Sequence, residues 1–198
     1  MSIDSDIIGR SRENPAVFSQ LYDRHAPTVH RYAMRRIGET AAEDIMSETF
    51  LVAFERRADF DDTKEDARPW LLGIATVLLR KHSRLEARAW RGIVAAGAAE
   101  LDRDAIEALG SRVDAEVAVR ALASSIKRMP SRDRDTLLLY AWGDLDYEGV
   151  ALALDVPTGT VRSRLNRARH TLRATTSRGA ALDKEVDHGR TNPASQGA

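Results

Sequence analysis

Between Val161 and Arg178 the chain carries Arg162, Arg164, Arg167, Arg169, Arg173 and Arg178, and no aspartate or glutamate interrupts them. These side chains suit a nucleic acid. A guanidinium fork matches the acceptor edge of guanine, and an amide such as that of Asn166 matches adenine. Further arginines neutralise phosphates and set register without reading sequence. On a helical wheel, Val161, Leu165, Ala168 and Leu172 share one narrow apolar face. Ser163, Asn166 and His170 lie opposite, flanked by Arg162 and Arg167, with Arg164 and Arg169 at the borders. These seven polar residues form the expected DNA-reading set. Gly159, near the start of the helix, lets a DNA backbone come close.

A basic helix reads DNA when a second helix sets its angle. Asp146 caps a short helix with Val150, Ala151 and Leu154 inward, Asp155-Val156-Pro157 turns the chain, and the last helix runs to about Arg173. This is the helix-turn-helix layout. The bland alternative is a solvated basic helix in a structural bundle. One-sided charge placed behind a helix and a turn argues against it.

Upstream, Val119, Leu122, Ile126 and Met129 mark a helix closed by Pro130, and Ser131 caps the next, which ends at Gly143. Nearer the N-terminus, Asn14-Pro15 starts a helix carrying Phe18, Leu21, Tyr22, His25, Val29 and Tyr32, with Pro27 expected to kink or split it. Thr40 and Glu43 have capping-box spacing for a second helix through Ile45, Met46, Thr49, Val52 and Ala53. The run from Asp61 to Asp66 is a charged loop, and a third helix begins near Pro69 and passes Arg84. The stripe of Phe18, Tyr22, Tyr32 and Trp70 fits a core better than a ligand box, and His25 fits a core histidine. Arg80, Lys81, Arg84, Arg88 and Arg91 make either a second nucleic-acid face or solvated charge.

The expected fold is therefore all-α, with two small helical domains joined by a flexible linker. The divisions are 14–90 for an N-terminal bundle, 91–116 for an Ala/Gly-rich acidic linker with one weak helix near Asp102–Leu109, 117–176 for the helix-turn-helix domain, and 177–198 for a flexible tail. Among 198 residues, hydrophobic types make up 43% and charged types 30%, so the cores are small and the surfaces charged. Thirty basic and thirty acidic residues cancel, which leaves charge distribution as the informative quantity. No cysteine is present, which excludes disulfides and thiolate metal sites. The apolar run from Trp70 to Leu79 is short of the roughly 20 residues of a membrane span, so a soluble protein without membrane insertion is expected. The five histidines lack metal spacing, and no phosphate-cradling glycine loop or nucleophile motif occurs. Neither enzyme, cofactor nor metal is expected.

Asp146-Tyr147-Glu148-Gly149-Val150-Ala151, followed by Gly159-Thr160-Val161-Arg162-Ser163-Arg164-Leu165-Asn166-Arg167-Ala168-Arg169, resembles the −35-reading domain of extracytoplasmic-function (ECF) sigma factors of bacterial RNA polymerase. Two N-terminal segments agree in order: Ala42 to Phe50 resembles the helix that docks on the polymerase clamp, and Arg68 to Ala75 the opening of the −10-reading helix. The resemblance covers all but the first dozen residues and the tail. It implies that Asp44, Ile45, Glu48 and Leu51 face the clamp helices of core RNA polymerase. It implies that the 59–67 loop, with Arg80, Lys81, Arg84 and Arg88, captures the −10 strand, and that the linker threads through the polymerase. Promoter DNA, the polymerase flap and an anti-sigma factor are the other implied partners, in the cytoplasm. The family usually has Gln where Ser47 stands, Asn where Val77 stands and a carboxylate where Gly149 stands. The competing reading is a stand-alone helix-turn-helix regulator, which would need a sensing or dimerising N-terminal half.

Overall fold

The computed structural model describes residues 3–95 and 113–188, with side chains for 3–85 and 121–175. Among them the chain forms eight α-helices, two short 3-10 turns (Pro15–Phe18 and Arg57–Asp59) and no strand. The helices are α1 (Asp4–Glu13), α2 (Ser19–Ile37), α3 (Glu39–Glu55), α4 (Arg68–Ala95), α5 (Val113–Arg128), α6 (Ser131–Trp142), α7 (Tyr147–Leu154) and α8 (Thr158–His188). Contacts group them into two compact units, 1–100 with 135–162, and 101–134 with 163–198. Most of the expected linker, the weak helix within it and residues 189–198 lie outside the described residues. The last helix passes its expected end at Arg173 and continues to His188, through a stretch that contains no proline.

In the first unit α2, α3 and α4 pack against one another. Leu21, Val29 and Tyr32 from α2, Ile45 and Ala53 from α3, and Leu71, Leu72, Ala75 and Leu79 from α4 are all buried. Each large side chain among them contributes about 1.5–3 kcal/mol by leaving water. Tyr32 joins this core with its hydroxyl satisfied by Thr76 Oγ1 at 2.9 Å. Phe18 meets Phe54 edge-on at 5.3 Å, and Tyr22 meets Phe50 at 4.8 Å. Tyr22 is half-exposed, so the aromatic stripe is only partly interior.

Three local expectations differ. Helix α2 runs unbroken through Pro27. The proline lies on the solvent face, where water can satisfy the carbonyl one turn back. The Thr40 capping box does not form: Gly38, at φ +84°, turns the chain, and α3 begins at Glu39 without a side-chain cap. Residues 4–13, which have no counterpart in the expected domains, form α1, with Ile7 and Ile8 fully buried. Acids in its first turn (Asp4, Asp6) and arginines in its last (Arg10, Arg12) suit the helix dipole.

Asp4 is buried at the head of α1. Its carboxylate accepts hydrogen bonds from Arg24 and from the Ala67 amide at 2.8 Å, and lies 2.6 Å from His25 Nε2. Burial alone would raise the Asp4 pKa, but the bonds from His25, Ala67 and Arg24 outweigh it and hold the group below its ordinary 3.8. Its contribution is therefore complete above that ordinary value and is lost as pH falls through the lowered one.

Within the first unit α7 packs on α4. Gly73 permits this: a Cβ there would lie 2.5 Å from the carbonyl oxygen of Ala153. Gly73→Ala is expected to lower stability by about 1–2 kcal/mol, since overpacking of about 1–3 kcal/mol exceeds the helix-propensity gain. Gly9→Ala in α1, with nothing within 4 Å of the new methyl, should be neutral or stabilising. Thermal melting of both variants checks this, and an unchanged Gly73→Ala melt would remove α7 from α4.

Candidate nucleic-acid interface

The helix-turn-helix is built from local bonds. Asp146 caps α7, its Oδ1 accepting from the Gly149 amide at 2.7 Å. A Cβ at position 149 would crowd that same oxygen at 3.2 Å, so glycine leaves the cap room. Asp155 ends α7 in the left-handed region at φ 51°, and the Val156 amide donates to Ala151 O at 3.0 Å. Pro157 then starts α8, its carbonyl accepting from Thr160 and Val161.

On α8 the wheel holds. Val161, Leu165 and Ala168 are buried, Leu172 is half-buried, and Arg162, Ser163, Asn166, Arg167, Arg169 and His170 are exposed, with Arg164 at the border. Arg167 is engaged within the second unit: its Nη2 and Nε donate to Asp133 at 2.8 and 3.1 Å. The hydrogen bond to Asp133 holds the Arg167 pKa above its usual value. The exposed face thus carries cations, the Ser163 hydroxyl and the Asn166 amide, with Arg167 anchored to Asp133.

The residues expected at the −10 element divide. Lys81 and Arg84 are exposed, and Lys81 Nζ lies 3.7 Å from Glu48. The Arg88 side chain lies outside the described residues. Arg80 is spent inside the protein: its Nε donates at 2.5 Å to Asp135. Asp135 is fully buried and also accepts from Arg36 Nη2 at 2.6 Å. Arg36 in turn donates to the Tyr32 hydroxyl at 2.9 Å. Burial would lower the Arg36 pKa, but Tyr32 and Asp135 more than offset it, so Arg36 stays charged.

Of the residues expected on the clamp surface, Asp44, Glu48 and Leu51 are exposed on α3, and Leu51 presents 57% of its surface. Ile45 corrects the expectation. At 3% exposure it belongs to the core and presents nothing to a partner. The stripe and the surface share one helix; the sequence reading counted Ile45 in both, and its burial fits the stripe.

Beside the 59–67 loop, which the resemblance assigns to −10 capture, a cavity of about 590 Å³ opens between residues 59–66 and α4, reached also by the end of α7. Phe60 and Trp70, 5.1 Å apart, stand in its wall with Lys64, Ile74 and the 60%-exposed Val77. Aromatic rings beside a lysine at an open cavity suit a stacked base and its backbone. The nearby Asp4, His25 and Asp66 bring ligand atoms within 4.8 Å of one another. Both Asp4 oxygens are already engaged by Arg24, His25 and Ala67, which makes this an ion-pair cluster. Among the described residues no helix is long and apolar enough to cross a membrane.

Residues 21–89 match the family model of sigma-70 region 2, and residues 120–172 that of sigma-70 region 4. The ECF RNA polymerase sigma factor SigL of Mycobacterium tuberculosis is 29% identical over 170 residues, covering 85% of this chain and 94% of that protein. SigK of Mycobacterium bovis, another ECF RNA polymerase sigma factor, is 27% identical over 181 residues, covering 87% and 94%. In fold the chain is similar to CnrH, solved in complex with the cytosolic domain of CnrY. The TM-score is 0.61 and the identity 23%, with 88% of this chain and 97% of that one covered. It is also similar to the sigma factor RpoE of Bartonella quintana, solved with the anti-sigma factor NepR. There the TM-score is 0.52 and the identity 19%, with 81% and 96% covered.

Asp135 is expected to be the most sensitive polar position. Asp135→Asn leaves Arg36 and Arg80 without their buried counter-charge and should cost about 3–5 kcal/mol. Asp144→Asn, at an exposed carboxylate 3.5 Å from Arg68, should stay within about 0.5 kcal/mol of the parent. Urea unfolding of the pair provides the comparison.

Proposed function

The chain belongs to the sigma-70 family, in its extracytoplasmic-function group, and on that footing we propose how its residues divide the work of promoter recognition. Members of the family are transcription initiation factors, not enzymes. The protein binds core RNA polymerase, recognises −35 and −10 promoter elements and directs transcription initiation. The stand-alone regulator is not favoured, because residues 21–89 match region 2.

In our reading α8 enters the major groove of the −35 element, with Arg162, Ser163, Asn166 and Arg167 at base edges. Arg164, Arg169 and His170 contact the backbone or the groove margin. The observation that carries this is the exposed Arg162–Ser163–Asn166–His170 face opposite the buried Val161–Leu165–Ala168 face. Arg167 exchanges Asp133 for DNA on binding. The Phe60–Lys64–Trp70 cavity receives an unpaired base of the −10 strand, and Lys81, Arg84 and Arg88 follow its backbone. Arg80 serves mainly to hold Asp135. The exposed Asp44, Glu48 and Leu51 face the polymerase clamp helices, and residues 91–116 connect the two reading parts.

Two weak modules on one chain bind as a bivalent unit, so core polymerase, by fixing their spacing, supplies much of the affinity. One solved structural relative is a complex with an anti-sigma factor, and an anti-sigma partner is accordingly part of the proposal, as is action in the cytoplasm, where the polymerase works.

Arg162→Ala and Asn166→Ala are each expected to cost about 1–3 kcal/mol of promoter affinity and to relax specificity at one −35 position. Core binding and melting temperature should stay at the parental values. Asp133→Asn, which releases Arg167, should tighten −35 duplex binding. Run-off transcription with reconstituted holoenzyme on a genomic promoter library, alongside core pull-down, reads all three. Parental transcription by both alanine variants would overturn the assignment of the α8 face.

A further inference from the structure

Helix α1 grips the 57–67 segment from both of its ends. At the head of the helix, the Asp4 amide donates to Glu65 O at 3.0 Å, and the Asp4 carboxylate receives the Ala67 amide at 2.8 Å. The same carboxylate is tied to α2 through Arg24 and His25. At the tail, the Arg12 guanidinium forks onto Asp62, with Nη1 to Oδ2 at 2.7 Å and Nη2 to Oδ1 at 2.8 Å. It also donates to Arg57 O at 3.3 Å and Phe60 O at 3.4 Å. Arg57 returns the contact, its Nε donating to Ser11 O at 3.3 Å. Between these ends Ile7 and Ile8 are fully buried, which fixes the helix to the bundle.

Outside α1 the segment is held near its ends, by Arg57 on Phe54, Phe60 against Trp70 and Asp66 with Arg68, and its middle has little else to hold its shape. Residues 61–66 are all exposed. Their own bonds are short-range: Asp61 Oδ1 accepts from the Thr63 amide at 3.0 Å, and Lys64 N donates to Asp61 O at 2.9 Å. Yet this segment forms one wall of the cavity, through Asp59, Phe60, Asp61, Lys64 and Asp66. An exposed loop that must present a wall in one geometry needs an external template, since ordering each residue costs roughly 1–2 kcal/mol of backbone entropy.

We propose that α1 is a positioning element for −10 capture: Asp4 and Arg12, which do not line the cavity, hold the 57–67 segment in the shape that receives an unpaired base. The proposal rests on the reading of that cavity as the −10 strand site. Binding of a single strand then depends on the Arg12–Asp62 fork, while docking on core and −35 reading by α8 do not.

The test uses holoenzyme reconstituted with core polymerase. The probe is a short fluorescent single-stranded DNA selected on the wild-type holoenzyme from a random pool. Arg12→Asp is expected to weaken probe binding on the order of tenfold, and the reciprocal Arg12→Asp/Asp62→Arg pair to restore most of it. Core binding and −35 duplex binding should be unchanged. Asp4→Asn should act in the same direction. Because Asp4 is buried and its loss can unfold the domain, the partly exposed Arg12–Asp62 pair carries the decision. Lys64→Ala and Trp70→Ala report on the cavity itself. If they weaken the probe and Arg12→Asp does not, the positioning role is overturned and the cavity reading stands. If neither cavity variant changes probe binding, the cavity reading falls and the proposal falls with it. Failure of the reciprocal pair to recover, or loss of core binding in Arg12→Asp, also overturns it.

Discussion

One buried carboxylate organises the first unit. Asp135 sits at zero exposure near the start of α6 and receives Arg36 from α2 and Arg80 from α4. Arg36 could not be buried without it, and it could not be buried without the two arginines. The network continues from Arg36 to Tyr32 and on to Thr76, so a charge cluster and the apolar core are fastened to each other. With α6 fixed there, α7 follows onto α4, where Gly73 removes the Cβ that would strike Ala153. The cavity acquires its α7 edge, Leu152 to Asp155, as a consequence of that docking.

What the sequence made legible was local. The Asp146 cap, the Asp155 turn and the buried stripe of α8 each depend on residues within about one helical turn, and a wheel suffices to find them. The fold class followed for the same reason. Long-range pairs left no such mark. Arg36 and Asp135 are 99 positions apart and Arg80 and Asp135 are 55 apart, so Arg80 read as a free cation. Ile45 was counted on the clamp surface as well because family resemblance gives a segment that meets a partner, not which of its faces does so. Helix α1 did carry a signal, acids first and arginines last around Ile7 and Ile8. Its neighbours in space are residues 24–25 and 57–67, which no local pattern connects. The 59–67 loop was legible as a −10 candidate, but the shape of the cavity beside it was not, because three separate segments build it.

Gly149 shows how a departure from the family pattern can be absorbed. A carboxylate at that position would add charge to the first turn of α7, favourable to the dipole. Here Asp146 already supplies the negative group and reaches the Gly149 amide directly. The glycine costs up to about 1 kcal/mol of helix propensity, and Val150, fully buried next to it, anchors the short helix. Val77 is different. It is well exposed at the cavity mouth, so it changes the surface offered there while leaving the fold alone.

The two arginine–aspartate pairs near the DNA-reading surfaces differ in what their exchange would cost, and that difference decides their roles. Arg167 leaves more than half of its side chain in water, while its partner Asp133 is mostly buried. In the proposed reading Asp133 holds Arg167 before binding, and the guanidinium, already open to solvent, passes to DNA on contact. Arg80 faces a carboxylate with no exposure at all. Withdrawing it would leave Asp135 neutralised by Arg36 alone, at a cost of several kcal/mol, more than one phosphate contact returns. Arg80 therefore serves the scaffold, and a −10 strand captured as proposed would find its cations at the exposed Lys81 and Arg84 of α4.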